Sequence, residues 1–449
     1  MFIHSIRKKK KPIKLKKSIK RKSIKKKSNF RYKQRYDGVD NKKIYIEPIN
    51  LDIINDTKDL SSLIRINYCK EYNDISNETK NFFYKFYKKF LLSDKFVQEL
   101  KIQEEIYEKI PKNEDFDLIV DNIQDIIKKN SSLTYKYSLS TLDKSLNIYF
   151  VVFNNNILKE EIKNNLYKIL FWLHVINDFY EDKSCSNELN IYIYLTDKLK
   201  VLPDKKHDDI KREHVNTGFT YTCLKKNSIV IYRKEEWFKV FIHETFHNLK
   251  LDFSNMNNNN TKKYINNLFK VNSDVKLYEA YTDSWAKIIN VLICSYFMSF
   301  KNKIDFFYLC IENINLERTF CMFQSIKILD HMGLNFEDLY SDDTNITSKY
   351  KEETSVLSYY IINAIILNSY EDFIIWCTEN NKNILQFTHT SENQIKFCKF
   401  IENHCKKNDM LYRIKCVTNM FNYYKNLENK NNNEKYLLKN MRKSLFQLN

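Results

Sequence analysis

The chain has 449 residues, 43% of them hydrophobic, which is enough for two or three packed units and excludes a wholly disordered chain. The formal net charge is +18, but residues 1–36 hold 17 of the 74 Lys and Arg residues and no acid. The remaining residues therefore have almost no net charge. The excess positive charge lies in the N-terminal tail and is not spread through the fold.

Residues 1–45 are predicted to form a basic, disordered tail, because the lysines repel one another and few apolar residues are present to build a core. Such a tail is suited to bind nucleic acid or an anionic surface without reading a sequence, or to serve nuclear import. No apolar stretch of the kind found in a secretory signal follows the basic residues. We therefore expect an intracellular protein that is not secreted.

The ten cysteines contain no Cys-x-x-Cys pair, and in an intracellular chain we expect them to be reduced, buried thiols. The longest uncharged apolar run, residues 288–300, has 13 residues. A membrane-spanning helix needs about 20, so the run predicts a buried core helix and no transmembrane segment.

Residues 46–140 are predicted to be mainly helical and carry no clear chemical motif. From residue 141 the pattern sharpens into a core region that extends to residue 255. The sequence LNIYFVVF at 146–153 is β-branched and aromatic and predicts a strand. Apolar residues at helical spacing predict a helix over 159–179. A second alternating strand is predicted over 189–195.

Two further strands are predicted over 217–224 and 228–232, with a turn at 226–227 between them. A helix is then predicted from Lys234 to Leu249. Residues 256–300 are predicted to contain an Asn-rich loop and a long helix that begins near Leu277. Residues 301–449 are predicted to be helical, with a capping box at 391–394.

The predicted helix over 234–249 contains His243-Glu244-Thr245-Phe246-His247. Residues four apart lie on one face of a helix, so the two imidazoles can bind the same metal ion. Glu244 can reach a water molecule activated by that ion and accept its proton during hydrolysis. A five-residue match of this type arises by chance in roughly one such chain in a hundred. The uncharged flanks and the preceding strands favour the functional interpretation.

A third ligand is available in Glu279, within LYEAYTDSW, 32 residues beyond His247. Asp283 lies four residues later on the same predicted helix face. A ligating His usually donates its other ring N–H to a carboxylate or carbonyl, and Asp283 is placed to accept from one of the two. The alternative is that Glu279 and Asp283 belong to a solvated helix face. The apolar residues after them favour a buried helix with one polar spot.

HETFH followed by EAYTD resembles the gluzincin metallopeptidases, whose pattern is HExxH with a later ExxxD. The resemblance covers about residues 146–300. It implies His243, His247 and Glu279 as ligands of one Zn²⁺ per chain, Glu244 as general base and Asp283 as their supporting acid. The metzincin pattern is excluded, because Lys250 and Phe253 stand where it requires Gly and His.

The stretch VNTGFTYTCLKKNSIVIYRKEEWFKVFIHETFH is also similar to uncharacterised proteins of giant DNA viruses, which would place the chain in host cytoplasm, nucleus or virion. In zincins the edge strand before the active-site helix pairs with substrate, which implies Gly218, Phe219 and Thr220 as substrate-binding residues. An ordinary turn is an equally good interpretation of Gly218.

A gluzincin also needs a donor for the oxyanion that forms on the substrate. The candidates are His389, His331, Tyr281, Tyr359 and Tyr360. His389, just before a predicted helix, is selected among them.

These observations predict an α+β fold with a zincin-like core, in which a small mixed sheet carries the active-site helix, followed by a mostly helical C-terminal half. The predicted function is zinc-dependent hydrolysis of peptide bonds in a peptide or protein substrate. The alternative is a catalytically inactive zinc-binding protein whose basic tail tethers nucleic acid.

Overall fold

A mixed β-sheet forms the N-terminal half of the computed structural model, which describes residues 42–66, 75–153 and 159–449. Residues 1–41, which hold nearly all of the predicted tail, lie outside the described residues. The strands are β1 (Lys42–Ile44), β2 (Ile102–Tyr107), β3 (Ser131–Thr141), β4 (Lys144–Phe153), β5 (Glu188–Tyr194), β6 (Gly218–Thr220) and β7 (Lys226–Ile231).

The strand order is β1-β2-β3-β4-β5-β7-β6, which places β6 at one edge. β4, β5 and β7 run parallel to one another, and β6 returns antiparallel to β7. Since side chains alternate along a strand, the row Ile148, Ile191 and Ile229 faces the main core. The neighbouring row, which includes Tyr192 and Val230, faces a smaller cluster.

Helices cover the sheet and form all the regular structure described after β7. They are α1 (Asn55–Ile66), α2 (Asn77–Glu99), α3 (Asp121–Asn130), α4 (Lys159–Ile176), α5 (Arg212–Val215), α6 (Trp237–Asn248), α7 (Asn259–Phe269), α8 (Leu277–Met298), α9 (Lys303–Met332), α10 (Thr344–Thr347), α11 (Asn363–Asn368), α12 (Tyr370–Asn380), α13 (Ser391–Cys405), α14 (Asn408–Asn426) and α15 (Asn432–Lys439). A π-helical segment spans Leu357–Ile362. No helix among the described residues combines the length and apolarity needed to cross a membrane.

The mixed α and β architecture and the helical C-terminal half agree with the sequence analysis. Strands β2 and β3, however, lie inside the region predicted to be mainly helical, and the boundary at 140/141 falls in the β3–β4 hairpin. The sequence SSLTYKYSLST of β3 places Leu or Tyr at every second position from 133 to 139. This alternation is a strand signal, and the sequence analysis missed it. Two local predictions were also wrong. Residues 226–227 begin β7, and the N-cap of α13 is Thr390.

A disulfide joins Cys185 to Cys223, across 38 residues of sequence. The expectation that all ten cysteines are reduced was therefore wrong for this pair. The disulfide links the segment before β5 to the turn between β6 and β7. Six other cysteines are free and buried, as expected. Spacing could not reveal the pair, because the two residues meet only through the sheet.

Residues 441–448, which we call the inner strap, run through the interior after α15 and are buried throughout. Their backbone is bonded to buried polar side chains from distant elements. The Leu445 N–H donates to Glu317 at 2.9 Å and the Gln447 N–H to Thr57 at 3.1 Å. Since unpaired buried amides are costly, these acceptors hold the inner strap in one register.

Candidate metal centre

Helix α6 carries the HETFH motif at the base of a cleft. All twelve of its residues are buried, so it is enclosed by protein on every side except at the cleft. Phe241 and Phe246 enter the main core, while His243, Glu244 and His247 line the cleft. The indole of Trp172 donates to the Thr245 hydroxyl at 2.7 Å and fixes α6 against α4.

The N-terminal turn of α8 brings Glu279 to the two histidines. Nε2 of His243 lies 3.1 Å from Nε2 of His247. A carboxylate oxygen of Glu279 lies 3.1 Å from the first nitrogen and 3.3 Å from the second. The three residues could therefore hold one metal ion.

The donor set and its spacing fit a tetrahedral metal. With metal–ligand distances of about 2.0–2.1 Å, tetrahedral ligand atoms stand roughly 3.3 Å apart. The three measured distances of 3.1 to 3.3 Å agree with that spacing. Two imidazoles and one carboxylate also leave a fourth position for solvent or substrate on the cleft side.

Each imidazole has a second carboxylate at its far nitrogen, and the one at His247 forms a hydrogen bond. Nδ1 of His243 lies 3.3 Å from Asp283, the residue predicted for this role. Nδ1 of His247 lies against Asp252, which also accepts from Thr282. The chain reverses after α6 through Lys250, whose φ is +57°, and this turn returns Asp252 to the helix. The sequence analysis did not predict this contact.

The carboxylates and nearby lysines set the electrostatics of the site. Burial would raise the pKa of Asp283, but the ammonium groups of Lys239 and Lys287 hold it well below its usual value. Burial likewise opposes ionisation of Glu279, yet His247 and the bonds to both imidazoles lower its pKa strongly. The negative charge of Asp252 and Glu279 raises the pKa of His247 despite burial. The same charge favours a metal cation at this point.

The carboxyl group of Glu244 takes no part in the ion pairs described above for Asp283, Glu279 and Asp252. Its carboxyl is buried, and burial raises its pKa above the usual value although the nearby imidazoles oppose the shift. It lines the cleft beside His243 and His247. A carboxylate with a raised pKa next to a candidate metal site is suited to accept and release a proton.

The cleft above these residues has a volume of about 430 Å³. Gly218, Phe219 and Thr220, predicted as substrate-binding residues, form edge strand β6 and line one wall. A Cβ at Gly218 would lie 2.6 Å from Ile231 and 2.8 Å from the Val230 carbonyl. Glycine is therefore needed for close packing of β6 on β7, which favours a structural requirement over an ordinary turn.

The structure does not bring His389 to the cleft. Its Nε2 contacts the backbone carbonyl of Asp252 at 2.5 Å, behind His247. Tyr359 occupies the cleft instead, on the π-helical segment, with its ring 6.0 Å from that of His243 and its hydroxyl close to the carboxylate of Glu279. The ammonium group of Lys443, in the inner strap, lies 3.2 Å from the centre of this ring. A π-helical segment has no clear signature in sequence, so this placement could not be foreseen.

Asp252→Asn is expected to weaken metal binding by about 10- to 100-fold, because the amide cannot hold the His247 ring as the carboxylate does. Competition with a chromophoric chelator measures the change. Asp274→Asn is the matched control: Asp274 lines the cleft but pairs with Lys262 at 2.7 Å. Equal affinities of the two variants would show that Asp252 does not support the ligand.

No protein-family model, curated protein sequence or solved structure was found to match this chain.

Proposed function

We propose that the chain is a zinc-dependent peptidase of the gluzincin type, built on a zincin-like core. The observation that carries the proposal is the convergence of His243, His247 and Glu279 within 3.3 Å, beside the unpaired carboxyl of Glu244 and at the base of an open cleft. A buried structural metal site does not require either the extra carboxyl or the cleft.

Zinc is the metal that suits two imidazoles and one carboxylate at tetrahedral spacing. Zinc bound there would supply Lewis acidity to polarise a substrate carbonyl and to lower the pKa of a water molecule to about 7. His243, His247 and Glu279 would hold the ion, while Asp252 is hydrogen-bonded to the His247 ring and Asp283 lies at the far nitrogen of His243. The carboxylate oxygen of Glu244 takes the proton of the attacking water and delivers it to the leaving amine.

The edge strand gives the cleft a means to hold an extended peptide. β6 pairs with β7 on one side, and its other edge belongs to the cleft wall. A peptide that adds to this edge gains main-chain hydrogen bonds regardless of its side chains. This geometry supports a peptide or protein substrate over a small polar one.

Tyr359 takes the oxyanion role that the sequence analysis gave to His389. Tyr359 lines the cleft, and its hydroxyl is close to the carboxylate of Glu279, one of the three proposed metal ligands. A phenol donates a hydrogen bond without carrying charge, and such a donor stabilises negative charge that develops on the substrate.

Tyr359→Phe should therefore lower kcat by about 10²–10³-fold with little change in KM, because the bond forms with the developing oxyanion. Steady-state kinetics on a cleavable peptide tests this. Tyr278→Phe is a matched control, since its ring lies 6.0 Å from the ring of His247 but does not line the cleft. A similar loss in both variants would assign the effect to packing.

Elemental analysis combined with cleavage of a peptide library tests the proposed function as a whole. One zinc per chain and defined cleavage products are expected. Zinc without cleavage of any peptide would favour the alternative, a catalytically inactive zinc-binding protein. Absence of zinc would reject both.

The basic tail is proposed to bind nucleic acid through its phosphates. Its 17 positive charges face no acid in the same segment, and release of counterions drives binding of this kind. Deletion of residues 1–36 should abolish binding to a labelled duplex and leave cleavage of a small peptide intact. Titration at two salt concentrations should show a steep loss of affinity with salt. Salt-independent binding, or equal affinity after deletion, would reject the role.

A further inference from the structure

The turn between α8 and α9 presents large apolar side chains to solvent. Phe300 is 86% exposed, Ile304 is 80% exposed and Tyr308 is 66% exposed. Ile304 and Tyr308 are four residues apart on α9 and share one face. We call Phe300, Ile304 and Tyr308 the apical patch. Single exposed apolar residues are ordinary, but three within nine consecutive residues need an explanation.

The turn is built to hold Phe300 outward. Phe300 and Lys301 have φ values of +49° and +65°, a conformation that costs free energy for residues other than glycine. Lys301 is anchored in place, because its ammonium pairs with Asp94 at 2.5 Å and its carbonyl accepts from Tyr87 at 2.8 Å. The exposure of Phe300 is therefore imposed by contacts of its neighbour.

Lysines surround the apical patch. The ammonium groups of Lys88 and Lys303 lie 4.2 and 4.3 Å from the centre of the same Tyr84 ring, one from α2 and one from α9. Neither pairs with a carboxylate in the part of the chain that the structure describes. The acids on this part of α9 are Asp305, in its first turn, and Glu312, which pairs with Arg65 at 3.5 Å. Lys88 and Lys303 therefore leave an excess of positive charge at the rim.

We propose that the apical patch docks on the surface of an anionic lipid bilayer. Aromatic and aliphatic side chains at a helix turn can enter the headgroup region, while lysines beside them keep their charge at the lipid phosphates. One weak signal gives reversible attachment, and two together give a stable one. The lysines beside the apical patch supply the second signal.

Helix α8 connects this surface to the candidate metal centre. Glu279 lies in its first turn and Met298 at its end, so the two are separated by roughly 30 Å at 1.5 Å per residue. Docking through the apical patch would leave the cleft open to solvent and to a peptide. The inference does not depend on the proposed peptidase activity.

Sedimentation of the full chain with vesicles tests the proposal. Vesicles of 70% phosphatidylcholine and 30% phosphatidylserine are compared with pure phosphatidylcholine, at 0.1 M and at 0.5 M NaCl. The high salt screens the charges of the tail and leaves apolar insertion in place. We expect strong binding to the anionic vesicles at 0.1 M NaCl. At 0.5 M NaCl we expect residual binding, similar in strength to the weak binding to the neutral vesicles.

Phe300→Asp combined with Ile304→Asp should lower binding to the anionic vesicles at 0.5 M NaCl by about 10-fold or more, since two inserted side chains are lost. Leu411→Asp with Tyr423→Asp, two exposed apolar residues of α14, should change it less than about twofold. Thermal unfolding checks that both variants fold. Wild-type binding by the apical variant, equal losses in both variants, or no vesicle binding by the wild type would each overturn the proposal, the last in favour of a protein partner.

Discussion

Glu244→Gln is expected to leave one zinc bound per chain and to lower turnover of a cleavable peptide by about 10²–10⁴-fold. The amide has nearly the same shape as the carboxylate, and Glu244 is not among the three residues that converge on the metal position. The amide of the variant cannot accept a proton, so the general-base contribution is lost. Metal content and kcat measured on the same sample test the prediction.

The matched control is Glu279→Gln, the same substitution at another acid that lines the cleft. Glu279 approaches both imidazoles, so this variant should lose metal as well as activity. Two variants that lose metal equally would make Glu244 a ligand. Unchanged turnover in Glu244→Gln would show that another group is the base.

His243→Ala is expected to remove the metal and to destabilise the fold. The variant loses one of three ligands and leaves Asp283 facing an empty position beside two lysines. A bound ligand at 100 times its Kd contributes about 2.7 kcal/mol to the free energy of unfolding, and this contribution disappears with the site. Elemental analysis and thermal unfolding with and without added zinc measure the two effects.

His389→Ala is the control for this prediction. Its imidazole contacts a backbone carbonyl outside the cleft, so the variant should keep one metal ion and most of the peptidase activity. Full metal retention by His243→Ala would reject the assigned site. A large loss of kcat in His389→Ala, with metal retained, would restore the oxyanion role that the sequence analysis gave it.

The inner strap links the C-terminal residues to the chemistry of the cleft. Burial lowers the pKa of Lys443 to about 7, and its ammonium lies against the ring of Tyr359. Ser444 donates its N–H to Glu236, the residue before α6, at 2.5 Å. The inner strap therefore contacts both Glu236, just before helix α6, and Tyr359, the residue proposed to stabilise the oxyanion. Nothing in its sequence, MRKSLFQL, indicated a place in the interior.

The sequence by itself determined the local part of the site. His243 and His247 share a face of α6 because an α-helix repeats every 3.6 residues, and the same rule sets Glu279 and Asp283 on one face of α8. Strands β4 and β5 and helices α4, α6 and α8 were predicted from their apolar patterns. Helix α7 was not, because an Asn-rich loop was expected there, and the alternation of strand β3 was missed.

Tertiary structure decided every contact between elements. It brought α8 against α6, turned Asp252 back onto His247, placed Tyr359 in the cleft and moved His389 behind it. It also paired Cys185 with Cys223. These contacts follow from how the whole core packs, and packing depends on many side chains far apart in sequence. Backbone geometry sets what lies on one helix face, whereas only the packed core decides which face meets which.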